Sequence, residues 1–174
     1  FSCGRTDILI GTQMITKGLD FSGVTVVGIL NADTMLNYPD FRAYEQAFQM
    51  LSQVSGRAGR RDERGLVILQ TKSADLPVIQ QVVAGDFKTF ARDLLEERSM
   101  FRYPPFYHLV YVYLRHRNEQ LVDSAAIEMA SRLRQAFADR VLGPDKPAVA
   151  RVKTESIRKI VIKLEQGINL PLAR

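Results

Sequence analysis

Apolar positions along the 174 residues fall into two rhythms. Continuous runs at 7–12 (DILIGT), 25–30 (TVVGIL) and 66–70 (LVILQ) read as strands covered on both faces, as in a parallel sheet. Between the second and third runs, Phe41, Ala43, Tyr44, Ala47, Phe48, Leu51 and Val54 recur mostly at steps of three and four, the spacing of a helix with one buried face. Asp40 is placed to cap that helix, and it ends at Gly56. Strand, helix, strand is the βαβ unit of an α/β domain. Residues 75–84 and 86–98 predict two further helices broken at Gly85. Asp86 caps the second, and Phe87, Phe90, Ala91, Leu94 and Leu95 form one apolar stripe along it. Tyr103-Pro104-Pro105-Phe106 stops it. A domain boundary is expected there, dividing the chain into 1–101 and 102–174.

The second part has its own pattern. Leu109, Tyr111 and Tyr113 alternate with Val110, Val112 and Leu114, which predicts a strand over 108–115. Residues 119–142 predict a helix capped by Asn118. Ile127, Ala130, Leu133, Phe137 and Val141 turn inward, and Gly143-Pro144 is the stop. Residues 149–154 and 158–165 predict two strands around a polar turn. In the second, Ile160, Ile162 and Leu164 face one way and Lys159, Val161 and Lys163 the other. The order βαββ is most of a ferredoxin-like unit, and residues 168–174 are placed to open its second helix. The expected fold class is therefore α/β: a partial parallel-sheet lobe, then a smaller α+β ferredoxin-like βαββ domain.

Charge separates the two parts. Residues 1–99 carry 11 Lys+Arg against 12 Asp+Glu, and residues 100–174 carry 13 against 7. The net +5 thus resides in the second part, where it suits an anionic partner, nucleic acid being the commonest. One cysteine, Cys3, excludes an internal disulfide framework or a cysteine-rich metal site within this chain. No apolar run approaches the roughly 20 residues of a membrane span, and no signal peptide opens the chain. A cytoplasmic setting is expected. The opening Phe1 and the missing final αβ pair suggest a piece of a longer protein.

Two segments carry chemistry. Gln53-Val54-Ser55-Gly56-Arg57-Ala58-Gly59-Arg60 follows the helix and precedes a strand. Glycine lets the backbone lie close to a ligand, and each arginine offers a planar, always-charged fork that matches phosphate oxygens. Such a pair can clamp nucleotide phosphates as charge spreads during transfer. The plainer reading is a basic surface turn. Gly11-Thr12-Gln13-Met14-Ile15-Thr16-Lys17-Gly18-Leu19-Asp20-Phe21 begins where the first run ends, and ligands of open α/β sheets bind beyond the carboxyl ends of strands. Thr12, Gln13 and Lys17 offer donors for a phosphate backbone, and Asp20 an acceptor for a ribose hydroxyl. A polar loop turning at Gly18 fits the same residues.

Together these segments resemble motifs V and VI of superfamily 2 helicases. GTQMITKGLDF, VTVVGILNAD, NYPDFRAYEQAFQMLSQVSGRAGR, GLVILQT and RYPPF narrow the resemblance to the primosomal protein N′ family of bacterial replication restart helicases. It is dense over 7–71 and looser beyond about 107. The resemblance implies the second RecA-like lobe of an ATP-dependent 3′-to-5′ DNA helicase that binds stalled forks and restarts replication by primosome assembly. Arg60 would be the arginine finger, Arg57 a second phosphate contact or a coupling residue, and Gln53 a residue orienting near the nucleotide. Gly18 and Asp20 would sit near the ribose, and Thr12, Gln13 and Lys17 would face the translocating strand. ATP and Mg²⁺ are the implied cofactors. Forked and single-stranded DNA, single-strand-binding protein and other primosome proteins are the implied partners, in the bacterial cytoplasm at the nucleoid, with no membrane.

The family's P-loop and acidic metal-holding motif are absent here, so this chain alone is expected to hydrolyse no ATP. Its zinc-binding cysteine cluster is absent too, and zinc is expected only in the full-length protein. Among helicases, an RNA helicase or recombination-fork motor is the rival. The DEAD-box RNA enzymes usually carry His where this chain has Gln53. A different class is a nucleic-acid- or partner-binding module with vestigial nucleotide motifs. In the basic part, Arg151, Lys153, Arg158, Lys159 and Lys163 read as a DNA-facing patch with salt-dependent affinity, or equally as a solvated or edge-protecting face. Tyr103, Phe106, Tyr107, Tyr111 and Tyr113 suit stacking on bases, although packing is the expectation for most. His108 and His116 lack metal-ligand spacing, and no metal-binding residue is assigned.

Overall fold

A computed structural model describes residues 6–12, 24–55 and 65–167. The chain divides into two compact units, Phe1–Leu94 and Leu95–Arg174.

In the first unit, β1 (Val26–Ile29) and β2 (Leu66–Leu69) pair in parallel, with Val26 opposite Leu66 and Ile29 opposite Leu69. Between them run a short helix α1 (Asp33–Leu36) and α2 (Ala43–Ser55). Asp40 caps the entry to α2: its Oδ1 accepts from the Arg42 N–H at 2.8 Å and its carbonyl from the Ala43 N–H at 2.9 Å. The helical spacing then buries Ala43, Ala47, Phe48, Leu51 and Val54. Beyond β2 come α3 (Pro77–Ala84) and α4 (Phe87–Met100). Proline starts α3, and Gly85 at φ 66° ends it in the left-handed conformation that glycine adopts without strain. Asp86 opens α4 by accepting from the Thr89 N–H at 3.0 Å. The core joins Leu36, Ala47, Phe48, Leu51, Val78, Ile79 and Phe90, and the Phe48 and Phe90 rings stack with centroids 4.1 Å apart.

Three expectations in this unit change. Residues 6–12 form no strand, and Ile8 and Ile10 are mostly exposed; an apolar run needs a hydrogen-bonding neighbour before it becomes a strand. Only one face of the β1–β2 pair is covered among the described residues. Ile29 and Leu69 pack on the core, whereas Val26, Leu66 and Ile68 are more than half exposed. Along α4, Phe90 is buried, but Phe87 and Leu95 are exposed, so the stripe is narrower than its spacing suggests.

The second unit is a helix laid on one face of an antiparallel sheet. Its elements are β3 (Tyr107–His116), α5 (Glu119–Phe137), a 3₁₀ turn (Ala138–Arg140), β4 (Val141–Asp145), β5 (Arg151–Val152) and β6 (Glu155–Glu165). The strand β6 lies between β3 and β4, antiparallel to both. Hence β3 and β4 are parallel to each other and joined through α5, a split βαβ arrangement. The hairpin β5–β6 turns at Lys153-Thr154 and pairs Val152 with Glu155. Asn118 caps α5 by accepting from the Leu121 N–H at 3.2 Å. The core is Ala130, Val141, Ile160, Ile162 and Leu164, with Val112, Leu114, Leu133 and Phe137 against it.

The apolar spacing predicts a helix to residue 142, and α5 stops at Phe137. Ala138 takes a positive φ of 52°, and Val141–Asp145 becomes a strand, with Val141 opposite Ile162. Gly143 therefore lies inside β4 and is no helix stop. Its φ is 91°, and a Cβ there would come within 2.8 Å of the Lys159 carbonyl oxygen. The inward helix face is Val122, Ala126 and Ala130, continued by Leu133 and Phe137. Ile127 points outward and is 63% exposed.

Candidate functional site

The first candidate site sits at the carboxyl end of α2. Ala47, Phe48, Leu51 and Val54 fix that helix against the core, and the Ser55 hydroxyl donates to the Leu51 carbonyl at 2.8 Å over its last turn. Gln53 lies on the exposed side of the same turn, directly before the Gly-Arg segment. Thr12 is exposed in irregular backbone. Arg57, Arg60, Gln13, Lys17, Gly18 and Asp20 lie outside the described residues.

The carboxyl ends of the two strands are laced together in a way that no periodicity announced. The Ala32 N–H donates to the Gln70 carbonyl at 3.0 Å, and the Asn31 N–H to Gln70 Oε1 at 3.2 Å. Asp33 accepts from the Thr71 hydroxyl at 2.7 Å and from the Lys72 N–H at 3.0 Å. Those two hydrogen bonds hold its carboxyl below the ordinary range. The lacing fixes the carboxyl edge of the sheet, where open α/β folds place their ligands.

The second candidate site is the basic unit, and its five predicted cations separate. Arg158 shares its face of β6 with Ile160 and Ile162, beneath α5, and is 4% exposed. Its Nε donates to Asp123, its Nη2 to Glu119 Oε1 at 2.8 Å and its Nη1 to the Ile157 carbonyl at 3.0 Å. The two carboxylates raise its pKa. Arg158 is therefore a buried tie between sheet and helix, and it leaves the DNA-facing patch. The alternation along β6 carried that signal, because 158 has the parity of the buried residues. Lys163 is also engaged: its Nζ donates to the Phe101 carbonyl at 2.6 Å and lies 4.0 Å from the Tyr103 ring centre. Burial, with Arg102 nearby, lowers its pKa.

Lys159, Arg151 and Lys153 remain at the surface. Lys159 Nζ lies 4.0 Å over the Tyr111 ring. Arg151 and Lys153 are exposed on the β5–β6 hairpin. In register, Ser156 of β6 lies between His116 of β3 and Arg151 of β5. The exposed Arg115 and Arg117 thus come to the same end of the sheet as Arg151 and Lys153, with Glu155 among them. Arg115 has the strand parity of Tyr111 and Tyr113, and that alternation is the sequence signal that places it on their face. Among the described residues no group of three or more His, Cys, Asp or Glu side chains could hold a metal ion. No described helix is long and apolar enough to cross a membrane.

Comparison with known proteins follows the same division. The helicase conserved C-terminal domain family matches residues 1–62, and the primosomal protein N C-terminal domain family matches residues 99–174. The replication restart protein PriA of Bacillus subtilis (strain 168) is 43% identical over 172 residues, 98% of this chain. The chain matches the C-terminal region of the PriA family. PriA of Synechocystis is 39% identical over 178 residues, 100% of the chain, and PriA of Treponema pallidum is 37% identical over 165 residues, 94% of it. The chain spans 21% of the length of the first two PriA relatives and 25% of the third. The fold agrees with the α/β expectation: a lobe containing a parallel strand pair, then an antiparallel sheet with a helix.

Proposed function

We propose that this sequence supplies the second motor lobe and the basic C-terminal module of an ATP-dependent 3′-to-5′ DNA helicase that binds branched replication forks and restarts replication. The observation that carries the reading is α2: a helix locked into a βαβ unit that carries Gln53 in its last turn, just ahead of Gly56-Arg57-Ala58-Gly59-Arg60. In this reading Arg60 acts as the arginine finger, Arg57 as a second phosphate contact and Gln53 as an orienting group. Gly18 and Asp20 lie by the ribose, and Thr12, Gln13 and Lys17 face the DNA strand. ATP with Mg²⁺, held by a first lobe outside this chain, supplies the phosphoryl-transfer chemistry. Zinc belongs to the longer protein. Forked DNA, single-strand-binding protein and primosome proteins are the partners, in the bacterial cytoplasm at the nucleoid.

A strand-displacement assay with the longer protein on matched DNA and RNA forks tests this function. ATP-dependent displacement of DNA with no displacement of RNA supports it. Preference for RNA identifies the rival RNA motor and overturns it.

A further inference from the structure

The sheet of the second unit has two unlike faces. Val112 and Leu114 of β3 share a core with Ile160, Ile162 and Leu164 of β6 beneath α5. The opposite face presents Tyr111 and Tyr113, 40% and 48% exposed, as neighbours two apart on β3. Their ring centres are 6.3 Å apart, close to the rise of two strand residues. Tyr113 lies opposite Lys159, and Tyr111 lies opposite Val161. On the other side of Val161 stands Leu142, 45% exposed. The row Tyr111, Tyr113, Arg115 then runs toward the sheet end where Arg117, Arg151 and Lys153 gather.

The geometry points to this open face as a stacking platform for single-stranded nucleic acid, with Tyr111 and Tyr113 taking bases and Lys159 and Arg115 taking phosphates. It rests on the reading of the second unit as a DNA-contacting module and deepens it, from charge attraction to recognition of unpaired bases. A duplex hides its base faces inside the stack, so rings on an open sheet gain nothing from it, whereas a single strand offers every base to an aromatic surface. Charge settles the occupant. Residues 100–174 hold 13 Lys+Arg against 7 Asp+Glu, and Arg115, Arg117, Arg151 and Lys153 are all exposed at the end toward which the tyrosines lead. An apolar protein surface would leave those cations unpaired. Lys159 over Tyr111 adds an exchange. An arriving base takes the ring face, where stacking outweighs an exposed ammonium–ring contact, and the freed ammonium meets the adjacent phosphate.

The test uses residues 1–174 and a labelled oligothymidine of about 12 nucleotides, within the site sizes of sheet-based single-strand binders. Fluorescence anisotropy compares it with a duplex of equal length. The wild type is expected to prefer the single strand. Tyr111→Ala with Tyr113→Ala should weaken binding roughly 5- to 150-fold for each ring removed, whereas Tyr111→Phe with Tyr113→Phe should stay within about twofold. Lys159→Ala should reduce the slope of log affinity against log salt by about 0.7. Circular dichroism checks that each variant is folded. Photo-crosslinking to an oligonucleotide carrying 5-iodouracil should mark the 107–116 peptide. No binding by the wild type, equal binding of the duplex, an alanine pair that binds like wild type, or crosslinks confined to other peptides overturns the platform. The motor reading is measured separately, by the ATPase of the longer protein with Arg60→Ala, so the two can fail independently.

Discussion

Arg158 offers the sharpest test of how the second unit is held together. Its guanidinium is 4% exposed and donates to Asp123, Glu119 and the Ile157 carbonyl. The acceptors differ from it: the Asp123 and Glu119 side chains are 44% and 52% exposed. Removing the buried charge and removing one of its partners are therefore unequal perturbations. Arg158→Met leaves two carboxylates that water can solvate, and Glu119 keeps Lys146 at 3.1 Å. The methionine stem fills part of the vacated volume, so the loss should be about 1–2 kcal/mol. Asp123→Ala instead strands the guanidinium beneath α5 with one carboxylate, and should cost about 3 kcal/mol, the low end for a broken buried pair. In a domain of this size each kcal/mol moves the melting point by about 4–8 °C. Asp123→Ala should then melt about 4–16 °C below Arg158→Met. Differential scanning calorimetry on the whole chain reads it directly. An Arg158→Met variant that melts at or below Asp123→Ala refutes the assignment of Arg158 as a buried tie whose cost lies in desolvation.

Three further outcomes are expected. Gly143→Ala should destabilise the second unit by about 1–3 kcal/mol, because a Cβ would meet the Lys159 carbonyl at 2.8 Å and φ is 91°. Gly85→Ala, with φ 66° and open space around it, should cost only about 1–2 kcal/mol, and urea unfolding compares the two. Asp33, held below its ordinary value near 3.8 by Thr71 and Lys72, gives the first unit stability that is complete above that value. That stability is lost as pH falls through the lowered pKa. Asp33→Asn should flatten this acid limb in urea midpoints measured at falling pH, and an unchanged limb refutes it. Residues 1–174 alone should show no ATP turnover above buffer in a phosphate-release assay, for want of a P-loop and an acidic metal motif; turnover abolished by Arg60→Ala contradicts this.

The elements that emerged from periodicity share a cause. β1, β2, α2 and α4 each have a partner or a buried face among the described residues, so local pattern and tertiary packing agree. Ile8–Ile10 shows the opposite case: the run has strand composition but no paired neighbour among the described residues, and composition supplies none. Val141 illustrates competition, since it continues the helical spacing of α5 yet pairs with Ile162 once Ala138 takes a positive φ and the helix ends. Ile127 is apolar and exposed because the helix face is set by Val122, Ala126 and Ala130, small residues that let α5 approach the sheet. At the candidate site, strand parity alone separates Arg158 from Lys159. The lacing of Asp33 to Thr71 spans 38 residues and has no local signature.

We propose that this lobe completes a phosphoryl-transfer site through Arg60. Single-turnover ATP hydrolysis by the longer protein on single-stranded DNA, wild type against Arg60→Ala, measures it most directly. A fall of about 10³-fold or more with ATP binding retained is expected, the typical effect of losing an arginine finger. Hydrolysis within about threefold of wild type contradicts the claim and leaves the chain a binding module whose nucleotide motifs no longer act.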